Sequence, residues 1–153
     1  MPEITTFLTY DHQAEEAAKK YVALFDGKIV ETMRAGGPEA PVMTVTFEIL
    51  GKTFIALNGG PSFSFAPGIS LFVGCDTQEE IDRFWSALAA DGGKEVQCGW
   101  VTDKFGVSWQ IVPKVLGQYL GGKDRDGANR ALQAMLKMQK LDIAALKRVY
   151  EGK

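Results

Sequence analysis

The spacing of apolar side chains along this chain switches between two and three-to-four residues, and it does so twice in the same order. ITTFLTY (4–10) sets Ile4, Thr6 and Leu8 against Thr5, Phe7 and Thr9, which predicts a strand rich in β-branched residues. QAEEAAKKYVALF (13–25) repeats at helical spacing through Ala14, Ala17, Ala18, Tyr21, Leu24 and Phe25, with Glu and Lys opposite. Asp11 or His12 offers a cap before it, and Asp26-Gly27 a stop after it. Residues 28–34 predict a strand and AGGPEAP (35–41) a loop. VMTVTFEIL (42–50), a tight turn at Gly51-Lys52 and TFIALN (53–58) predict a hairpin. The first half therefore expects β-α-β-β-β.

A Gly/Pro-rich connector, GGPSFSFAPG (59–68), precedes the second round. ISLFVGC (69–75) predicts a strand. TQEEIDRFWSALAAD (77–91) predicts a helix, with Thr77 and Glu80 spaced as a capping box. GGKEVQ, CGWVTD (98–103) and VSWQIV (107–112) predict three strands, the last two joined at Lys104-Phe105-Gly106. The two halves align as an internal repeat. At an offset of 64, Glu15 and Glu16 fall on Glu79 and Glu80, Tyr21 on Trp85, Leu24 on Leu88 and Thr6 on Ser70. The closing hairpins align as GKTFIAL on GVSWQIV. A duplicated β-α-β-β-β unit is expected to pair its sheets into a curved, half-open surface, a common location for ligand sites.

After Pro113 the pattern becomes helical. KVLGQYL predicts a short helix, and 124–140 a longer one with Ala131, Met135 and Met138 on one stripe and Leu132 and Leu136 beside it. DIAALKRVY (142–150) predicts a last helix capped by Asp142. The fold class expected is α+β: module one over 1–58, module two over 68–113 and a helical tail over 114–153, together one domain. The tail packs on the body or on a second copy, and a homodimer is expected.

Composition adds exclusions. At 46% hydrophobic and 24% charged the chain builds an ordinary core. Its start lacks the basic and apolar regions of a signal peptide, and no apolar run is long enough to span a membrane, so the expectation is a cytoplasmic protein without a membrane partner. Cys75 and Cys98 are then free thiols. The net charge of −2 is uneven, because residues 121–153 carry eight Lys/Arg against four Asp/Glu. Such a tail reads as solvated helix faces, and no nucleic-acid partner is expected.

The densest stretch is QCGWVTDKFGVSWQIVP (97–113). Asp103 precedes a turn and reads as its hydrogen-bond acceptor. Cys98 has no basic neighbour that would make it a nucleophile and reads as a small buried residue. His12, the sole histidine, reads as a loop residue near a helix start, and no Ser-His-Asp or Cys-His set assembles around it.

These residues resemble a known family. The paired β-α-β-β-β pattern with D-x-x-G before the last strand is similar to the vicinal oxygen chelate superfamily, which includes glyoxalases and bleomycin-resistance proteins. ALNGGPSFSFAPGISLFVGCDTQEEIDRFWSAL, CGWVTDKFGVSWQIVP and ALQAMLKMQKLDIAAL resemble its PhnB-like branch, labelled 3-demethylubiquinone 3-methyltransferase domains, over residues 4 to about 148. The methyltransferase label implies a Gly-rich loop between a strand and a helix. Gly36-Gly37 and Gly59-Gly60 lie outside such a context, so that activity is not expected.

In metal-using members the resemblance implies four inward-facing ligands, on the first and last strand of each module. The matching positions here are Thr6, Ser70, Gln110 and Ile55, without a histidine or carboxylate. The expectation is therefore no metal and no cofactor. Thr6, Ser70, Gln110 and Asn58 then supply hydrogen-bonding groups, and Trp100 and Trp109 pocket walls, for an unidentified small organic molecule. Phe63 and Phe65 are placed to close over it. The alternative is a metal-dependent lyase, isomerase or dioxygenase of this superfamily, with Glu48 and Asp103 as substitute ligands.

Overall fold

A computed structural model describes residues Met1 to Lys153, which form two compact units, Met1–Ser64 and Phe65–Lys153. In the first, β1 (Thr6–Tyr10) leads through α1 (Ala14–Leu24) to β2 (Lys28–Arg34), β3 (Val42–Ile49) and β4 (Lys52–Asn58). The sheet order is β1-β4-β3-β2, with β1 parallel to β4 and the other pairs antiparallel.

One sheet face carries Leu8, Tyr10, Val45, Phe47, Phe54 and Ala56, all buried, and α1 covers it. The helix meets it through Ala14, Ala17, Ala18 and Tyr21, each with no exposed surface. Three alanines let backbone approach sheet closely, and Tyr21 fills what they leave, its ring 6.0 Å from that of Phe47. The Tyr10 hydroxyl donates to the Tyr21 hydroxyl at 3.2 Å, satisfying buried polar atoms.

Neither Asp11 nor His12 caps α1. Gln13 holds the cap position without a side-chain bond, and the Ala14 N–H donates to Asn58 Oδ1 from the end of β4, at 2.9 Å. The β3–β4 turn is Leu50-Gly51, one residue earlier than the composition suggests. Both residues have positive φ, 48° and 77°, the backbone of a tight two-residue hairpin.

The second unit repeats the plan: β5 (Leu71–Cys75), α2 (Gln78–Ala89), β6 (Lys94–Glu95), β7 (Trp100–Thr102) and β8 (Ser108–Pro113), in sheet order β5-β8-β7-β6. The expected capping box starts α2. Thr77 Oγ1 accepts from the Glu80 N–H at 3.2 Å, and Glu80 Oε1 accepts from the Thr77 N–H at 3.0 Å. Ile81, Phe84, Trp85 and Leu88 form its buried stripe.

The repeat holds with one change of register. The helices match at 64, Ala14 on Gln78 and Tyr21 on Trp85, but the strands before them match at 65, Thr6 on Leu71. The strand–helix connection is one residue shorter in the second unit, Asp76-Thr77 against Asp11–Gln13. Burial confirms the shift, since β1 runs exposed, exposed, buried, half-buried, buried and β5 differs only at its first residue. Ser70 is therefore the counterpart of Thr5, not of Thr6.

The tail belongs to the second unit and adds α3 (Val115–Leu120), α4 (Arg125–Leu136) and α5 (Ile143–Tyr150). Val112 of β8 shares a core with Leu116, Leu141 and Leu146, against which Met135 and Met138 pack. The longer helix stops at Leu136, short of 140. Residues 138–139 instead run beside the sheet, where the N–H groups of Cys98 and Gly99 donate to Met138 O and Gln139 O at 2.8 and 2.9 Å. Gln78 pins the next residues, donating to Leu141 O at 3.0 Å and accepting from the Ile143 N–H at 2.8 Å. Asp142 caps α5 as expected, taking the Ala145 N–H at 3.0 Å. No helix is long and apolar enough to cross a membrane.

Candidate functional site

In each unit the helix covers one sheet face, and pleating alternation sends every second residue to the other. On β8, Trp109, Ile111 and Pro113 face α2 and are buried, while Ser108, Gln110 and Val112 face away. Cross-strand register extends this second face. Phe72 of β5 and Trp100 of β7 both pair with Gln110, making a row of phenyl, amide and indole. Thr102 pairs with Ser108, and Ser70, just before β5, lies on the same side, making an adjoining row of hydroxyls. Gly74 pairs with Val112 in the next row, where the tail core begins.

The polar centre of this face is one hydrogen bond, from Gln110 Nε2 to Ser70 Oγ at 2.8 Å. Both residues are half-buried, as is Trp100, and Phe72 is 62% exposed. The two rows contain no carboxylate. Charge enters only at the margins, with Lys94 of the edge strand β6 paired to Thr102, and Lys114 held to Asp76 by an ion pair at 3.2 Å.

Trp109 lies on the opposite face, 1% exposed, and its indole N–H donates to Asp103 Oδ2 at 2.9 Å. Adjacent residues in a strand face opposite ways, so Gln110 and Trp109 do not share a site. Asp103, 2% exposed, holds the turn as expected: its Oδ1 accepts from the N–H groups of Phe105 and Val107 at 2.9 and 3.0 Å. Gly106 adopts the positive φ, 95°, that the turn requires.

In the first unit Thr6 pairs with Phe54 on the side of Leu8 and Tyr10, at the exposed end of that face. Its neighbours Thr5 and Phe7 stand on the open side instead. Asn58 is engaged at both ends, accepting from Ala14 and donating to Val42 O at 3.0 Å. Of the six residues read from sequence, the structure brings together Ser70, Gln110 and Trp100. Phe72 is the member of that row that sequence reasoning missed. Its twin Phe7, at offset 65, is the signal that would have found it, because Phe7 pairs with Ile55 as Phe72 pairs with Gln110.

Phe63 packs on Gly59, where a Cβ would lie 2.9 Å from its ring and 2.5 Å from Thr9 Cγ2, so a side chain there would displace one of them. Phe65 lies over the Gly106 turn. His12 is an exposed loop residue, 3.6 Å from Asp11. Cys98 is half-buried, whereas Cys75 is buried, and desolvation, with Glu80 and Asp76 nearby, raises its thiol pKa from 9.0 to about 11.

The donor chemistry does not suit a divalent ion. The positions at which the resemblance implies ligands are Thr6 and Ile55 in the first unit and Ser70 and Gln110 in the second, and the observed register makes Thr5, not Thr6, the counterpart of Ser70. Nowhere do three His, Cys, Asp or Glu side chains gather in a way that could hold a metal. A neutral hydroxyl and amide offset none of a dication's charge.

Known proteins resemble this chain in sequence and fold. The family described as 3-demethylubiquinone-9 3-methyltransferase matches residues 2–112, so the match ends at Val112, well short of residue 148, and leaves the tail outside. The PhnB protein from Bacillus cereus is 36% identical, with a TM-score of 0.66 over 73% of this chain and 99% of that one. The fosfomycin resistance protein FosX from Mesorhizobium loti has a TM-score of 0.60 at 12% identity, over 79% of this chain and 98% of that one. A glyoxalase/bleomycin resistance protein from Albidiferax ferrireducens has a TM-score of 0.50 at 15% identity, over 70% and 93%. The last two similarities are of fold. No curated protein matches the chain.

Proposed function

The chain belongs to the PhnB-like family described as 3-demethylubiquinone-9 3-methyltransferase, and on that premise we propose that it binds a small uncharged organic molecule on the open face of its second sheet, without a metal ion. The observation that carries this reading is the Gln110–Ser70 pair at 2.8 Å, a neutral polar centre between two aromatic side chains in rows without carboxylates. Apolar surface with a few placed polar groups is what a small organic ligand uses. A phosphate or a metal ion would find no balancing charge at its centre.

Methyl transfer gains no support from the family's description. No glycine-rich turn joins a strand to a helix: the β1–α1 connection is Asp11-His12-Gln13 and the β5–α2 connection Asp76-Thr77. Gly36-Gly37 and Gly59-Gly60 lie between strands, Gly92-Gly93 follows a helix, and Gly121-Gly122 joins two helices. The metal-dependent alternative leans on Glu48 of β3 and on Asp103, and both oxygens of Asp103 already accept hydrogen bonds inside the second unit.

Native mass spectrometry with elemental analysis of the purified protein tests this reading. The expected result is a chain without stoichiometric metal that takes up neutral aromatic molecules. Near-stoichiometric zinc, nickel or manganese, removed only with loss of ligand uptake, would overturn it.

A further inference from the structure

Resting on that reading, we propose that the ligand is a planar, uncharged ring with a lactam edge, an N–H donor beside a C=O acceptor, read by the Gln110 amide and stacked on Trp100. Gln110 gives one N–H to Ser70 Oγ, and its carbonyl oxygen and second N–H have no other protein partner. A half-buried amide with an open edge is an incomplete hydrogen-bonding group. Whichever end of the amide meets Ser70, an acceptor and a donor remain without a protein partner. That edge is complementary to a ligand with a donor and an acceptor side by side, the logic by which Gln reads the edge of a base. A carboxylate offers acceptors alone and would set an anion against the amide oxygen. A hydrocarbon would leave both groups unsatisfied.

The neighbours select for flatness. Trp100 and Phe72 stand one strand to either side of Gln110, and strands lie about 4.8 Å apart, so a ring over the amide overlaps an aromatic face. Ser70 is a positioning residue, since its hydroxyl fixes the amide plane. In the first unit the equivalent site is Ile55, an aliphatic residue on the same kind of strand in the same register. An aliphatic side chain is therefore compatible with the fold at position 110.

The test compares 2-quinolone with N-methyl-2-quinolone, which keeps the carbonyl and the flat ring and loses the donor. Binding is followed by tryptophan fluorescence and chemical-shift titration on wild type, Gln110→Leu, Ser70→Ala and Trp100→Leu. Wild type is expected to bind the N–H compound at least about tenfold more tightly than the N-methyl one. Gln110→Leu should bind both alike with an unchanged unfolding midpoint. Ser70→Ala should narrow the ratio, and Trp100→Leu should weaken both compounds equally. Equal wild-type binding of the two compounds, or a ratio that survives Gln110→Leu, overturns the lactam assignment and leaves the proposed function standing. Failure of wild type to bind either compound overturns both.

Discussion

Replacing Asp103 by alanine removes the acceptor on which the β7–β8 hairpin is built. Its carboxylate takes two backbone N–H groups, at 2.9 and 3.0 Å, and the Trp109 indole N–H at 2.9 Å. Val107 and Trp109 are 4% and 1% exposed, so water cannot replace the lost partner for those donors. Each stranded donor costs about 1–3 kcal/mol. Phe105 is only half-buried, and solvent compensates part of its loss. Relief from burying the carboxylate offsets some of the total. The expected destabilisation is about 3–5 kcal/mol, a large share of the 5–15 kcal/mol typical of a folded domain. Asp103→Asn is milder, at about 2 kcal/mol: its oxygen can keep the backbone bonds, but its NH₂ then faces the indole N–H, donor against donor. Trp109→Phe removes that conflict. In a double-mutant cycle Asp103→Asn and Trp109→Phe should therefore cost at least about 1 kcal/mol less together than their separate costs added. Urea unfolding followed by far-ultraviolet circular dichroism measures all four variants. An Asp103→Ala cost below about 1 kcal/mol, or strict additivity in the cycle, would refute the reasoning.

Three further outcomes follow from the same structure. Thr77→Ala breaks the capping box of α2 and should cost about 1 kcal/mol in the same assay. Leu141→Ala empties a fully buried position beside Val112, Leu116 and Leu146 and should cost about 2–5 kcal/mol, which would show that the tail is part of the second unit's core. Cys75 is buried with its thiol pKa at about 11, so iodoacetamide at pH 8 should label Cys98 first and reach Cys75 only on unfolding. Unfolded, the Cys75 thiol returns to about 9.0, so between pH 9 and 11 the unfolded chain sheds a proton that the folded one keeps, and stability falls across that window. A Cys75→Ala variant should lose that alkaline component of the pH–stability curve.

The sequence revealed the duplication and almost every element because local periodicity and turn chemistry agree along the chain. Thr77 with Glu80, Asp142 and the Asp103 turn were legible from spacing alone, since each rests on contacts within a few residues. The Asn58 bond to Ala14 was not, because the partners are 44 residues apart and a long-range contact substitutes for a local cap. The end of α4 was hidden for the same reason, as the carbonyls of 138 and 139 are claimed by Cys98 and Gly99. The strand offset was misread by one residue because the helices, with their stronger pattern, dominate the alignment. That slip matters most for the site, since one residue in a strand reverses the face. It put Thr6 with Ser70, and it hid the equivalence of Phe7 and Phe72. Trp109 looked like a pocket wall by its size, yet alternation on β8 puts it behind the sheet whenever Gln110 is in front.

The central claim, that the open face of the second sheet is the ligand surface, is tested most directly by side-chain NMR during titration with 2-quinolone. The Gln110 amide and Trp100 indole resonances should shift together and saturate at one equivalent, while the Trp109 indole, held by Asp103 on the far face, stays still. Saturable binding that moves Trp109 or the α4 residues and leaves Gln110 and Trp100 unchanged would contradict it.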